Sequence, residues 1–155
     1  MNNSDEKHWS RIRQLGIFSM VFPFVIFFVS VMLSSRGLTG LVKNYEEGTA
    51  RIVQYILFAL GVVIFFFCDG ISDFFAHRLF VSDKEREKEN LSSYFAYIFI
   101  ILWLLNMISV TGFAGFLICG NITWLTVFVI LTLSLQMRYF PSSKRFEKLV
   151  ELAGK

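Results

Sequence analysis

From Tyr94 to Leu135 the chain carries no Asp, Glu, Lys, Arg or His. As one helix this run would be about 60 Å long, twice the ~30 Å hydrocarbon core of a bilayer, so it must fold back on itself as a hairpin. Two places could turn it, Thr111-Gly112 and Cys119-Gly120-Asn121. The first divides the run into two spans of adequate length, about 93–111 and 114–136, and is the expected turn. Long apolar blocks with the charges gathered between them are the pattern of a polytopic membrane protein rather than of a large soluble core. Composition agrees: 55% of the chain is hydrophobic and 17% charged, against roughly a quarter charged in ordinary soluble domains.

Two further blocks precede the hairpin. The first, about 15–34, holds no charge, and Pro23 inside it is tolerable where a neighbour re-satisfies the carbonyl that proline leaves free. The second, about 51–69, is slightly short and is expected to extend beyond its apolar stretch. No cleavage motif closes the first block, which is therefore expected to stay as an anchor. Twelve of the 15 Lys and Arg fall in the first, third and fifth polar segments. By the positive-inside rule both termini and the loop 70–92 are cytoplasmic. The expected fold is all-α: one domain, 1–155, an integral membrane four-helix bundle, N-in and C-in, with short amphipathic helices at both cytoplasmic ends. The expected location is the cell inner (plasma) membrane, multi-pass.

Three local patterns refine the cytoplasmic parts. Ser82-Asp83-Lys84-Glu85 reads as a capping box that starts the third helix ahead of the membrane, and KEREKE supplies opposite charges along its first turns. After Pro141, the tail 137–155 restarts a helix with Ser143 as N-cap and with Phe146, Leu149, Val150 and Ala153 on one face. That helix, like SDEKHWSRIR with its Trp9, is expected to lie on the inner leaflet.

The stretch FFFCDGISDFFAHRLF carries the residues most suited to chemistry. Asp69, Asp73 and His77 stand at i, i+4 and i+8, on one face if the second helix continues through Gly70. Neighbouring pairs could chelate a cation, but three ligands over two turns extend roughly 12 Å, too far for one ion without another segment. The simplest reading is an interfacial polar face, with His77 beside Asp73 and Arg78 snorkelling; contact with a partner or an ion is the sharper one. Within GISDFFAHRL there is a faint similarity to the motif of the CDP-alcohol phosphatidyltransferases, membrane enzymes with paired metal-binding aspartates. With Asp73 as the first aspartate, Ala76 and His77 stand where that family has Asp-Gly, and Asp83 finds Glu87 instead of a second aspartate. The resemblance lacks the essential pair and the family's six spans, and is set aside.

Other chemistries find no carrier. No GxSxG, HExxH, P-loop or dinucleotide glycine pattern is present. His8 and His77 both fall in polar segments, which excludes a haem held between two histidines inside the spans. Cys68 and Cys119 lack metal-ligand spacing and read as small apolar packing groups. The basic residues form no stripe for nucleic acid. Asn106 and Asn121 are the most polar groups within the apolar run and read as interhelical glue. Gly112, Gly115, Cys119, Thr123 and Thr126 recur at helical spacing and read as a small-residue packing seam on the fourth span. A protein so built, expected to be no enzyme and to need no cofactor, acts by contact, with the lipid bilayer around it and a membrane-protein partner or a homo-oligomer beside it. Phe (19) far outnumbers Ala, a mark of AT-rich genes. That leads to phage or plasmid superinfection exclusion, or toxin immunity, as the expected role; the alternative is a small oligomeric transporter or channel subunit.

Overall fold

The computed structural model describes residues 3–38, 47–79 and 87–152. They form five helices in chain order: α1 (Asn3–Ser35), α2 (Glu47–Leu79), α3 (Glu87–Cys119), α4 (Ile122–Arg138) and α5 (Ser143–Leu152). Among the described residues there is no strand. Three helices are long and apolar enough to cross a membrane, and a fourth crossing is reached if α4 and α5, bent by 72°, count as one broken span. Each of α1, α2 and α3 has 33 residues, about 50 Å of helix, so each outruns the ~30 Å hydrocarbon layer.

This length changes two expectations. The N-terminal amphipathic segment is no separate surface helix: it is the first part of α1, and Trp9 there packs on Tyr94 of α3 and Phe146 of α5, with ring centroids 5.7 and 5.8 Å away. Much of what reads as the loop 70–92 is also helix, since α2 runs through Gly70 to Leu79 and α3 starts at Glu87. The capping box Ser82 to Glu85 lies outside the described residues.

The hairpin turns at the other of its two candidate places. Helix α3 passes straight through Thr111 and Gly112 and stops at Cys119. The Thr111 hydroxyl donates to the Met107 carbonyl one turn back in the same helix (2.8 Å), so it caps no helix end there. Gly112 serves a close approach: a Cβ added there would stand 2.5 Å from Phe128 Cβ. The chain reverses at Gly120, whose φ of 69° is the left-handed conformation that glycine adopts without strain and whose N–H donates to the Phe116 carbonyl. Asn121 then caps α4 by accepting from the Thr123 N–H at 3.0 Å. It is a helix cap, where the sequence reads it as interhelical glue.

Helix α3 is the centre of the packing and lies against α1, α2 and α4. Its buried face repeats at helical spacing through Tyr94, Tyr97, Ile98, Ile101, Leu105 and Ile108. Phe128 of α4 wedges its ring between Gly61 of α2 and Gly112 of α3, closing three helices around one side chain. At the far end of α4, Tyr139 and Pro141 form an elbow, and Gly16 of α1 sits so tightly on Pro141 that a Cβ would come within 2.8 Å of its ring. Ser142, not Ser143, caps α5: its Oγ accepts from the Arg145 N–H at 3.3 Å. The apolar face of α5 is docked in the protein, where the sequence places it on the lipid surface. Leu149 is buried, and Phe146 and Val150 pack beside it on the same core; Ala153 lies outside the described residues.

Candidate functional site

Because α2 is unbroken at Gly70, Asp69 and Asp73 occupy successive turns of one helix. Their environments differ. Asp69 is tied to the end of α4: Arg138 donates to Oδ2 at 3.0 Å and the Tyr139 hydroxyl donates to Oδ1. The Arg145 guanidinium stacks over the Tyr139 ring, 4.2 Å from its centroid, and donates to the Arg138 carbonyl at 2.6 Å. Burial pushes the Tyr139 phenol up from its ordinary value, and its bond to Asp69 pushes it the same way, so the hydroxyl remains a donor. Asp73 is exposed, and the side chain of His77 lies outside the described residues. The sequence spacing therefore brings the two carboxylates to one helix end, but the fold engages Asp69 as a clasp between α2 and the elbow. Among the described residues no group of three His, Cys, Asp or Glu side chains stands together to hold a metal ion.

The most concentrated polar arrangement is elsewhere. Proline has no N–H, so Pro23 leaves the carbonyl four residues before it, that of Ser19, without its helical partner. Gln136 of α4 supplies one. Its Nε2 donates to the Ser19 carbonyl (3.2 Å) and is also within bonding distance of Ser19 Oγ (3.0 Å) and Asn106 Oδ1 (2.8 Å). A backbone carbonyl only accepts, which fixes this end of the glutamine as its NH2. Asn106 completes the knot by donating from Nδ2 to Ser19 Oγ at 2.9 Å. Gln136 is fully buried, and its Oε1 has no hydrogen-bond partner. Ser19 and Asn106 stand close to the middle of the apolar stretches Glu6–Ser35 and Leu91–Cys119, so α1, α3 and α4 are joined by amides and a hydroxyl deep within the apolar part of the molecule.

Smaller bridges follow the same logic along α3. Ser109 donates to Thr132 Oγ1 at 2.9 Å, Ser72 and Tyr97 share a hydrogen bond of 2.5 Å, and Tyr94 Oη meets the Ser142 carbonyl at 3.2 Å. Interhelical bonds of this kind hold membrane helices together where no water competes.

The residues read as one packing seam are divided by the turn. Gly112, Gly115 and Cys119 belong to α3, Thr123 and Thr126 to α4. Gly112 faces Phe128, and a Cβ on Gly115 would meet Leu57 of α2 at 3.3 Å. Thr123 is half of the Asn121 cap, and Thr126 donates back to the Ile122 carbonyl of its own helix. The small residues thus admit α4 and α2 to α3, rather than forming one stripe on one helix.

Gln136 escapes a reading of the sequence because it stands at the last position of the fourth expected span, two residues before Arg138, and looks like its polar end. Pro23 announces that a carbonyl needs a donor, yet nothing along the chain says which donor answers. Comparison with known proteins adds nothing to this: no protein-family model, no curated protein and no solved structure matches the chain.

Proposed function

We propose that this is a non-enzymatic, multi-pass protein of the bacterial inner membrane that acts by contact with a partner in the bilayer, in phage or plasmid exclusion or in toxin immunity. In this reading the packed helices form a four-helix bundle with both termini in the cytoplasm and with the α4–α5 elbow on the cytoplasmic side. The observation that carries it is where the polar side chains go. Asp69, the most chemically apt residue of its stretch, is held by Arg138 and Tyr139, and Ser19, Asn106, Gln136, Ser109 and Thr132 bond helix to helix. Polar groups used in this way fix a shape, and a fixed shape with a broad apolar exterior is what recognition within a membrane requires.

The test is expression in a susceptible bacterial host, challenged in parallel with a phage panel, a conjugative plasmid and a pore-forming toxin. The purified protein in liposomes is assayed for ion and proton flux. Protection from one challenger with silent liposomes supports the contact reading. Selective flux through the liposomes, with no protection, replaces it with the alternative, a small oligomeric transporter or channel subunit.

A further inference from the structure

Between α1 and α3 lies an open groove of about 280 Å³ whose apolar walls include Phe18, Phe22, Phe99 and Trp103 and whose floor includes Ser19 and Asn106. We propose that this groove is the interface by which the chain pairs with a second copy of itself. The proposal is independent of what the assembled protein acts on.

Asn106 carries the argument. Its amide has two N–H groups and two acceptor positions on Oδ1. One N–H goes to Ser19 Oγ and one acceptor position to Gln136 Nε2. One donor and one acceptor are left at the floor of a groove that opens to the hydrocarbon side of the molecule. Acyl chains offer neither, and an unmet polar group in hydrocarbon is costly. A second Asn106 amide offers both at once, since an amide facing an amide donates and accepts.

Geometry favours the same occupant. A two-fold axis parallel to the spans brings each residue of one copy to the depth of the same residue in the other, so two Asn106 amides meet without any shift of register. Phe99 and Trp103, at i and i+4, form a ridge beside the groove and are 52% and 57% exposed. Each copy therefore presents a ridge and a groove side by side, the condition for a self-complementary interface in which the same patch serves both partners. Along α3 the groove runs from Phe99 to Met107, about 12 Å, long enough to take the one-turn ridge of a second copy, about 6 Å, beside the Asn106 pair.

The experiment uses full-length protein in native membranes, with Cys68 and Cys119 replaced by Ala. A single cysteine is introduced as Trp103→Cys on the ridge, or as Phe66→Cys on α2, where the native side chain is 72% exposed. Oxidation should give covalent dimers of the first variant at least about tenfold more efficiently than of the second. Adding Phe99→Ala, which leaves the Ser19–Asn106–Gln136 knot untouched, should lower the Trp103→Cys yield severalfold with an unchanged melting temperature. Asn106→Leu should lower it further, and Asn106→Gln should restore most of it. Equal crosslinking of the two cysteine variants, indifference to Phe99→Ala, or crosslinks that join the groove only to a different protein would each overturn the proposal.

Discussion

If Gln136 serves the carbonyl that Pro23 leaves free, replacing either residue should change the value of the other. Gln136→Leu keeps the size of the side chain and removes every donor it gives to Ser19 and Asn106. Lost side-chain bonds within a membrane protein cost about 1 kcal/mol, and leaving a buried carbonyl unmet adds roughly 2 kcal/mol, so the variant should lose about 3 kcal/mol. In a Pro23→Ala background the new N–H at position 23 donates to the Ser19 carbonyl along the helix, and only the first term remains. Gln136→Leu should then cost about 1 kcal/mol, a coupling of roughly 2 kcal/mol between two residues on different helices. Reversible unfolding in mixed micelles or by steric trapping in bicelles measures all four corners of the cycle. Additive losses, equal within about 0.5 kcal/mol, would show that Gln136 does not act through the carbonyl freed by Pro23.

The same assays address three other contacts. Gly112→Ala places a methyl against the immovable Cβ of Phe128 and should cost about 1–3 kcal/mol, whereas Gly115→Ala meets only the tip of Leu57 and should be neutral or stabilise by up to ~1 kcal/mol through helix propensity. Asp69→Asn should lower stability by about 1–2 kcal/mol, since its ion pair with Arg138 is more than half exposed and the Tyr139 bond contributes the rest; Asp73→Asn should stay within about 0.5 kcal/mol. Because the phenol of Tyr139 is raised in the folded protein, the stability it contributes is whole below its ordinary value of 10.0 and falls as the pH rises past that value. Tyr139→Phe should therefore flatten the alkaline limb of a plot of melting temperature against pH.

Fold class and span positions are legible in the sequence because they depend on local hydrophobicity, which the uncharged run and the two shorter blocks display directly. Helix ends are less legible. α1 and α2 continue well past their apolar stretches because Trp9 and Ile71 still find core to pack on, and that contact is made by residues far away in the chain. The turn shows the limit most clearly. Thr111-Gly112 and Gly120-Asn121 both look like turns in one dimension, and only the proximity of Phe128 distinguishes a glycine kept for close approach from a glycine kept for its positive φ. At the candidate site, the spacing of Asp69 and Asp73 predicts a shared helix face but carries no sign of Arg138 or Tyr139, about seventy positions later. The central knot was half legible, through Pro23 and Asn106, with its third member hidden at the edge of the last apolar block.

The bond from Gln136 to the Ser19 carbonyl joins positions 117 apart, and that separation has a consequence for how the protein is made. At 5–20 residues per second the ribosome takes on the order of ten seconds to travel from the first residue to the second. Until Gln136 has been made, the Ser19 carbonyl lacks the donor that it has in the finished fold. A chain stopped after Gly120 should decay faster in a pulse-chase than the full-length protein, and Pro23→Ala should slow the decay of the truncated form.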